Sequence, residues 1–460
     1  MNKYSLEEIS KYIGGEFHGR NTTVSGFSID SRTINENEVF FCIKGENFDG
    51  HNFIKSSLDK ASCIITEVDI DYLDLEKKSY IKVKNTLQAL QKTSEFIRYK
   101  CKAKFIAITG SNGKTTVKEM LAHILSNYKV SYTKGNLNNN IGVSLTLLSI
   151  NQDDEFVIVE IGSNNLGEIE PLSKIIKPDI AAVTNIGLAH IEGFKSLENT
   201  AVEKYSIFNH IKKNGYAVIN NEDNFSKFEG HRNKLYFGYK MNLLEKIAKF
   251  FKNINYKTFF LTIENMDNKY FSLNYKRKKK LIKLNLNGEH NFLNATCASS
   301  IALLLGISMN EIKEKIETFD GVNSRLKMHN LKKKNLCVID DCYNANPSSF
   351  KAAILFLSKL KGKKIVLMGD MAELGLNSKN YHKEIGEYAI KLGIYKFLSI
   401  GNHSQAASDK FGENGLHFRD KESLKKYLID NINPSSYILI KGSRNQKLEE
   451  IVNFLKKWGK

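Results

Sequence analysis

The chain has 460 residues, of which 42% are hydrophobic and 10% aromatic, so it is long enough for two or three globular domains. No apolar stretch approaches the ~20 residues of a membrane-spanning helix, and the N-terminus has no apolar signal core, so we expect a cytoplasmic protein without membrane insertion. The six cysteines contain no C-x-x-C pair, which favours reduced thiols over a disulfide or zinc framework.

The net charge of +18 raises the question of nucleic-acid binding. Lysine is spread over the whole length, however, and the basic runs are confined to residues 276–280 and 332–334. Each run lies between two strand-like segments, where a solvated hairpin turn is expected. The composition therefore argues against a nucleic-acid partner, whereas a positive field would suit a phosphate-rich substrate.

Residues 1–83 have the pattern of a small α/β domain, with strand-like segments at 24–29, 39–43 and 63–66. Polar loops directly follow two of these strands, and binding residues often lie in such loops. The polar residues of interest in the two loops are Asp30, Ser31, Arg32, Asp49 and His51. Turn chemistry alone explains such residues about equally well.

From residue 84 to about 318, strands alternate with helices, which is typical of a mostly parallel sheet covered by helices. The apolar strand 105–108 leads into a Gly-rich turn and then a helix with an apolar face. The turn and helix start consist of Thr109, Gly110, Ser111, Asn112, Gly113, Lys114, Thr115 and Thr116. Such a turn presents backbone N–H groups to a phosphate, while Lys114 adds a cation and Thr115 a hydroxyl for Mg²⁺. The strict pattern requires Gly at position 108, which is Ile.

A carboxylate and two amides follow the phosphate loop. Glu160 ends the apolar strand 156–159, and a carboxylate there is well placed to hold Mg²⁺ in the same sheet. Asn138 and Asn139 belong to an amide-rich turn between two elements. Because Asn is common in turns, a turn role competes with a binding role for both.

Two further residues have weaker local patterns. His190 lies just past the strand 180–184, where it could ligate a metal or position a phosphate, although a structural role is the better local interpretation. Lys204 lies on a helix predicted over 198–210 and has the local pattern of a surface lysine.

The segment from Gly288 opens another predicted helix that runs to Leu305. His290, Asn291 and Asn294 are spaced three and four residues apart, so they share one helical face. Polar groups on one face of an otherwise apolar helix indicate a buried polar contact, such as a nucleobase.

A third domain is predicted over 319–460, with a Rossmann-like alternation of strands and helices. Its strands are predicted at 336–340, 364–368, 396–400 and 436–440. Polar residues stand at each strand end, including Asp340, Asp341 and the 441–444 segment. Since ligands bind outside the carboxyl ends of such strands, we expect a second binding edge facing the phosphate loop.

Taken as an ordered set, these motifs resemble the Mur ligases of bacterial cell-wall synthesis. The matching residues are Thr109-Gly-Ser-Asn-Gly-Lys-Thr115, Asn138, Asn139, Ile141, Gly142, Glu160, His190, Gly288 to Asn294 and Arg325. The 341–347 and 368–375 segments, with Asp30 to Arg32 and the 48–51 loop, resemble the branch that joins D-alanyl-D-alanine to UDP-N-acetylmuramoyl-tripeptide.

The resemblance implies three α/β domains: a UDP-sugar-binding domain (1–83), a central ATPase domain (84–318) and a C-terminal Rossmann-like domain (319–460). It also implies that the tripeptide carboxylate attacks the γ-phosphate of ATP, and that the dipeptide amine then displaces phosphate from the acyl phosphate. Such chemistry needs neutralisation of crowded anions more than a nucleophilic side chain. We expect a monomer.

The resemblance assigns roles at the phosphate end. Lys114 would hold the phosphates, with Thr115 and Glu160 on one Mg²⁺. His190 would help to hold a second Mg²⁺, and Lys204 matches a family lysine that ligates it as a carbamate. This assignment reverses the local interpretation of Lys204 as a surface lysine.

The remaining roles follow from the same resemblance. Asn291 and Asn294, beside His290, would contact adenine, and Arg325 would reach the phosphates. Asp340 or Asp341 would bind the ribose. The dipeptide and ATP edge would be shaped by Tyr343, Asn344, Asn346 and Pro347, and Asn138 and Asn139 would contact the substrate. The N-terminal loops, with Asp30, Ser31, Arg32, Asp49 and His51, would meet the UDP-sugar.

Four positions depart from the family pattern: Ser144, Ser163, Asn165 and Ser324. None of them removes a charged catalytic group, so we expect an active enzyme.

The alternative functions are those of sister ligases that add the third amino acid, folylpolyglutamate synthases, nucleic-acid-dependent ATPases and non-catalytic binders. The 368–375 segment, the absence of a basic aromatic cluster and the presence of Lys114 and Glu160 argue against them. Whether the tripeptide ends in lysine or diaminopimelate stays open.

Overall fold

A computed structural model describes residues 3–46, 48–225, 233–239, 257–267, 269–276, 278–432 and 434–459. Three sheets carry the architecture, with five, nine and six strands. The fold is α/β throughout, as predicted. No helix in the described ranges has the length and apolar character needed to cross a membrane.

The N-terminal part is built on a five-stranded sheet in the order β2-β7-β6-β5-β4. Its elements are β1 Tyr4–Ser5, α1 Leu6–Ile13, β2 Glu16–His18, β3 Thr23–Val24, β4 Gly26–Ser28, β5 Glu38–Phe41, α2 Ile54–Leu58, β6 Cys63–Thr66 and β7 Ser79–Lys82. Helix α1 begins where the Ser5 side chain caps the Glu8 N–H and ends at Gly14, whose φ of 73° suits glycine. The single strand predicted at 24–29 is instead two strands, since β3 pairs with β1 and β4 with β5.

The central part is built on a nine-stranded sheet in the order β16-β15-β14-β13-β12-β11-β8-β10-β9. Its elements are α3 Thr86–Lys100, β8 Lys104–Thr109, α4 Lys114–Ile124, β9 Val130–Tyr132, α5 Asn140–Leu148, β10 Phe156–Glu160, α6 Ile169–Ile176, β11 Ile180–Val183, α7 Ile191–Phe194, α8 Leu197–Tyr205, β12 Tyr216–Asn220, β13 Asn233–Tyr239, β14 Thr258–Asp267, β15 Tyr270–Tyr275, β16 Lys278–Lys283, α9 His290–Leu304 and α10 Met309–Glu317. The strands from β9 to β14 are parallel, and β15 and β16 add an antiparallel edge.

The C-terminal part is built on a six-stranded sheet in the order β17-β18-β22-β19-β20-β21. Its elements are β17 Lys327–Leu331, β18 Leu336–Asp341, α11 Pro347–Ser358, β19 Lys363–Gly369, α12 Ser378–Lys391, β20 Lys396–Ile400, α13 Gln405–Phe411, β21 Gly415–Phe418, α14 Lys421–Asn431, β22 Ser436–Lys441 and α15 Glu449–Trp458. Only β17 runs antiparallel to its neighbour among these described strands.

The two basic runs differ in their local structure. Lys332–Lys334 forms the short connection between β17 and β18, as predicted for a hairpin turn. Lys278–Lys280, by contrast, lies in β16, Lys276 falls in a turn, and residue 277 lies outside the described residues. Side chains alternate between the two faces along this antiparallel edge strand, so that lysines can point to solvent on one face.

Strand β8, which leads into the phosphate loop, is held by core packing on both of its faces. Phe105 and Ala107 point to one face, into a cluster shared with the N-terminal sheet, while Ile106 and Ile108 point to the other. All four are buried, as expected for a central parallel strand covered on both faces. The phosphate loop therefore leaves a strand that packing holds on both sides.

Candidate active site

A cleft of about 670 Å³ lies between the carboxyl ends of the central strands and those of the C-terminal sheet. The phosphate loop, the ends of β10 and β11 and the start of α9 form one wall. Residues after β18 and β22 form the other wall. Parallel strands bring their carboxyl ends to one edge, which explains why residues distant in sequence meet here.

The phosphate loop has the geometry of an anion cradle. Gly113 caps α4 with φ of 81°, and a Cβ there would lie only 2.3 Å from Asn294 Oδ1. Both facts require glycine at this position. Lys114 Nζ donates to the loop's own Gly110 carbonyl at 2.7 Å, and burial lowers the pKa of this amine. The helix N-terminus and Lys114 together provide positive charge for phosphate groups.

The end of β11 holds the loop in place. Thr184 Oγ1 and Asn185 Nδ2 both donate to the Asn112 carbonyl, at 2.6 and 2.9 Å. Asn112 N–H donates back to Asn185 Oδ1 at 3.0 Å, and Ser111 Oγ donates to Gly187 at 3.0 Å. The sequence analysis missed Asn185 as a site residue, although its place just past a strand end is the same signal that selected Glu160 and His190.

Glu160 lies at the centre of the phosphate end, with 1% of its surface exposed. Its Oε1 accepts hydrogen bonds from Thr115 Oγ1 at 3.2 Å and Asn138 Nδ2 at 2.8 Å. Its Oε2 is buried without a hydrogen-bond partner in the described part of the chain. A buried carboxylate oxygen beside a hydroxyl is suited to a hard cation such as Mg²⁺.

Lys118 is a second residue that the sequence analysis missed. It is completely buried, and its Nζ donates to the carbonyls of Thr133 at 2.7 Å and Gly135 at 3.2 Å. The same nitrogen lies 2.9 Å from Glu119 and 3.7 Å from Glu160 Oε2. Its place on the first turns of a helix gave no local signal, because only the fold brings the 133–135 loop against it.

Lys204 is completely buried, so its local interpretation as a surface lysine is wrong. Its Nζ donates to Ser163 Oγ at 2.7 Å and lies 5.0 Å from the centre of the Phe194 ring. Burial, together with the charge of Lys114, lowers the pKa of Lys204 to about 7. A large share of this lysine is therefore a neutral amine near pH 7, the form that reacts with electrophiles.

The loop around Ser163 is itself held by a buried carboxylate. Glu203, with 2% exposure, accepts hydrogen bonds from the N–H groups of Gly167, Glu168 and Ile169 at 2.6, 3.1 and 2.8 Å. These donors include N–H groups at the start of α6 that have no partner within the helix. Glu203 thereby fixes the start of the helix that follows the Ser163 loop.

The start of α9 forms the far end of this wall. His290, Asn291 and Asn294 all line the cleft. Asn294 Nδ2 donates to Asn291 Oδ1 at 2.8 Å, and Asn291 Nδ2 donates to the Asn287 carbonyl at 2.6 Å. Asn294 lies beside Gly113, so the hydrogen-bonded pair of Asn294 and Asn291 is next to the phosphate loop.

Residues of the C-terminal part cross the cleft. Arg325 Nη2 donates to Thr115 Oγ1 at 3.2 Å, and its guanidinium lies 4.3 Å from the centre of the Tyr343 ring. Asn346 Nδ2 donates to Asn112 Oδ1 at 2.8 Å. Asn344 lines the same wall. The two walls are thus joined by direct hydrogen bonds.

The two neighbouring aspartates at the end of β18 point to different surroundings. Asp341 lines the cleft, where Lys441 Nζ lies 2.6 Å from its carboxylate. Asp340 lies outside the cleft lining and accepts a hydrogen bond from Ser324 Oγ at 3.1 Å. Successive residues of a strand point to opposite faces, so only one of the pair can face a ligand. Ser324 has φ of 57°, a backbone conformation that favours glycine.

The five candidates of the N-terminal part lie outside this cleft. Asp30 accepts two side-chain hydrogen bonds from Arg32, at 2.9 and 2.7 Å, and these hold the pKa of Asp30 at about 2. Ser31 lies between them in the chain. His51 Nδ1 lies 2.6 Å from Asp49 Oδ1, and His51 Nε2 accepts the Glu67 N–H at 3.1 Å.

Other predicted residues complete the placement. Thr116 and Asn139 line the cleft, whereas Thr109 and Gly110 lie below its lining. Thr109 Oγ1 donates to the Ile161 carbonyl at 2.7 Å, a buried contact within the sheet edge. Among the residues described, no three His, Cys, Asp or Glu side chains are grouped as a metal cluster.

Three family models match successive parts of the chain. They are the Mur ligase family catalytic domain at residues 23–97, the Mur ligase middle domain at 108–302 and the Mur ligase glutamate ligase domain at 324–444. A relative from Buchnera aphidicola subsp. Acyrthosiphon pisum, a UDP-N-acetylmuramoyl-tripeptide–D-alanyl-D-alanine ligase, is 37% identical over 100% of this chain and 99% of its own. The chain belongs to the Mur ligase family.

Solved structures of this family are similar over the full length. The crystal structure I of MurF from Acinetobacter baumannii matches with a TM-score of 0.87 and 30% identity, covering 99% of each chain. The MurF ligase of Thermotoga maritima, solved in complex with ADP, matches with a TM-score of 0.79 and 25% identity over 95% of this chain and 98% of that one. The resemblance inferred from the motifs and the predicted fold class are therefore confirmed.

Proposed function

We propose that this protein is the ATP-dependent ligase that joins D-alanyl-D-alanine to UDP-N-acetylmuramoyl-tripeptide. The products are UDP-N-acetylmuramoyl-pentapeptide, ADP and phosphate. The reaction is proposed to take place in the cytoplasm. One observation supports this most directly: the phosphate loop and Glu160 face Arg325, Tyr343 and Asn346 across a single cleft. The curated relatives that bear this activity cover the whole chain.

The positively charged groups of the cleft bind the phosphates of ATP. The loop N–H groups and Lys114 hold the β- and γ-phosphates of ATP, and Arg325 neutralises the charge that develops during phosphoryl transfer. The tripeptide carboxylate attacks the γ-phosphorus as its bond to the bridging oxygen breaks, which releases ADP and leaves an acyl phosphate. The dipeptide amine then attacks the carbonyl carbon, loses a proton and displaces inorganic phosphate.

Mg²⁺ fits the phosphate end. The unpartnered Glu160 Oε2 and the Thr115 hydroxyl would hold the cation, and its chemistry there is to neutralise phosphate oxygens. Asn138 keeps Glu160 Oε1 oriented through its 2.8 Å hydrogen bond. The side chains of this end therefore bind and orient the anions, and none of them needs to act as a nucleophile.

Lys204 fits the role of a carbamylated ligand for a second cation, together with His190, which lies against the same Phe194 ring. Its buried amine, with a pKa of about 7, can add to CO₂, which forms the N–C bond of a carbamate and releases one proton. The reaction replaces a buried cation by an anion in a site that collects metal and phosphate charge. Ser163 Oγ, 2.7 Å from Nζ, lies where it can donate to the new carboxylate.

The other candidates are assigned by position. Asn291, Asn294 and His290 bind the adenine side, and Asp341 rather than Asp340 faces the ribose. Asn138, Asn139, Tyr343, Asn344 and Asn346 shape the edge where the two peptides meet. The loops with Asp30 to Arg32 and Asp49 to His51 bind the UDP-sugar away from the cleft. The enzyme is proposed to act as a monomer.

The deciding experiment measures ADP release by the purified chain with each substrate omitted in turn. ADP should form only when ATP, UDP-N-acetylmuramoyl-tripeptide and D-alanyl-D-alanine are all present. ADP formation that DNA or RNA stimulates, without the dipeptide, would contradict the ligase function. Running lysine-containing and diaminopimelate-containing tripeptides side by side identifies the third residue.

A further inference from the structure

The 368–375 segment was prominent in the sequence, yet the proposed chemistry gives it no role. Its base is rigid. Asp370, 8% exposed, accepts the backbone N–H groups of Asn402, His403 and Ser404 at 2.8, 3.0 and 2.8 Å. Met371 N–H donates to His382 Nε2 at 3.0 Å, one residue further along the segment.

The tip of the segment reaches across the cleft. Glu373 Oε2 lies 2.5 Å from His190 Nδ1 of the central part. The Glu192 N–H also donates to the Glu373 carbonyl, at 3.1 Å. A third anchor, from Ala372 N–H to Ser443 Oγ at 2.8 Å, holds the segment just before Glu373. Side chain and backbone of one residue therefore both bind the 190–192 turn.

Both partners have an unusual backbone. His190 has φ of 53° and Glu373 has φ of 61°, in the left-handed region that is strained for a non-glycine residue. Two such residues meeting at one contact indicate that the surrounding structure holds each of them in place. The contact is a built feature and not a chance meeting of surface side chains.

The contact also determines how the imidazole of His190 is presented. Because Nδ1 lies beside the Glu373 carboxylate, at ion-pair distance and without hydrogen-bond alignment, Nε2 is the ring nitrogen left for a ligand in the cleft. The Phe194 ring stands at 84° to the imidazole, with 6.2 Å between ring centres, and Lys204 lies over Phe194. A carboxylate on one ring nitrogen is the usual device that orients a histidine toward a metal or a phosphate.

We propose that Glu373 is a positioning residue: it fixes the ring of His190 from across the cleft, so that the phosphate end is complete only when the C-terminal part is seated. This inference rests on the phosphate-end role proposed above for His190. It gives the 368–375 segment a function, which is to couple domain closure to assembly of the site.

The test compares Glu373→Ala and Glu373→Gln with Glu384→Gln as a matched control. Glu384 is in the same part of the chain, pairs with Lys351 at 3.0 Å and has 49% of its side chain exposed, against 46% for Glu373. We expect kcat to fall about tenfold in Glu373→Ala and less in Glu373→Gln, with KM for ATP changed less than kcat. The control should keep wild-type kcat.

A second readout is independent of turnover. Hydrogen exchange of the 190–194 peptide, measured without nucleotide, should be faster in Glu373→Ala than in the wild type, because the 190–192 turn loses the side-chain contact with Glu373 and keeps only the backbone hydrogen bond. Unchanged exchange, or a kcat within twofold of wild type, would overturn the inference. A His190→Ala variant that loses turnover beside a fully active Glu373→Ala would also overturn it while leaving the proposed function intact. A fully active His190→Ala would overturn the role of His190 and this inference together.

Discussion

At the scale of single residues, charge decides most of the site. Glu160 is an acid with almost no exposed surface, and it tolerates burial because Thr115 and Asn138 donate to one oxygen and Lys118 lies near the other. A buried ion that loses its partner is strongly destabilising. The same arrangement that prepares a carboxylate for a cation therefore also stabilises the fold.

Lys118→Met should lower the free energy of unfolding by about 3 kcal/mol, because it leaves the carbonyls of the 133–135 loop and the Glu160 carboxylate without their buried cation. It should also raise KM for ATP, since Asn138 follows that loop. Urea unfolding and ATP titration measure the two effects. Lys129→Met, which breaks an exposed ion pair with Asp153, should leave the free energy of unfolding close to the wild-type value; equal losses in both variants would contradict the buried role.

Lys204→Ala should abolish turnover and recover part of it when short carboxylic acids are added, because a free carboxylate can replace the proposed carbamate in the vacated space. The measurement is ADP release with and without acetate or a longer acid. Lys212→Ala, at an exposed lysine paired with Asp179, should be active and insensitive to the acid. Wild-type turnover of Lys204→Ala would refute the carbamate.

At the scale of elements, strand ends and helix starts account for the site. Helix α4 begins at Gly113 because the chain must turn with a positive φ next to Asn294. Ile108 stands where the strict phosphate motif has Gly, and the structure shows why a large side chain is accommodated. It is a buried residue of β8 that pairs with Glu160 and packs in the core.

His382 makes the 368–375 segment sensitive to acid. It is completely buried, its Nε2 accepts the Met371 N–H, and Nδ1 contacts the Ser378 carbonyl at 2.7 Å. Burial lowers the pKa of His382, so the folded protein stays neutral there at a pH where the unfolded chain, with a pKa of about 6.5, binds a proton. Unfolding then takes up a proton, and stability should fall as the pH drops below about 6.5.

Urea unfolding at pH 7.5 and 5.5 measures this effect. His382→Gln should be less stable at both values but should lose less stability between them than the wild type. His210→Gln, at a histidine that lies 3.4 Å from Glu170 in the central part, is the control and should keep the wild-type difference. An unchanged difference in His382→Gln would show that other groups cause the acid sensitivity.

At the scale of the whole molecule, the site exists only where two sheets face each other. Arg325, Asn346 and Glu373 each reach the central part from the C-terminal part. In this arrangement Arg325 donates to Thr115, the hydroxyl proposed to hold Mg²⁺. Under the proposed function, binding of ATP would move Arg325 from this hydroxyl to the phosphates.

Arg325→Ala should reduce kcat about a hundredfold, because one preorganised cation for the transferred phosphoryl group is lost. ATP should still bind, since the phosphate loop and Lys114 are intact. Steady-state kinetics with a separate ADP-binding titration distinguish the two effects. Arg419→Ala, at an exposed arginine of the same part, should behave like the wild type; a hundredfold loss of ADP affinity with unchanged kcat would contradict this role.

The sequence alone determined the fold class, most strands and the phosphate loop, because these depend on local patterns of period two, period 3.6 and turn chemistry. It also determined the family, because the motifs occur in a characteristic order. Local reasoning failed for Lys204, whose burial depends on α8 packing against the Ser163 loop. From the sequence we also could not tell which of Asp340 and Asp341 faces the cleft, since they lie on opposite faces of β18.

Tertiary structure alone decided the contacts between distant segments. Lys118 meets the 133–135 loop, Asn185 holds Asn112, and Glu373 meets His190 over 183 residues of sequence, between positions 190 and 373. No local pattern encodes such pairs, since each depends on how two sheets are placed against each other. The sequence by itself determined the class of chemistry that the chain performs. The packing of the sheets decided which side chains come together in the site.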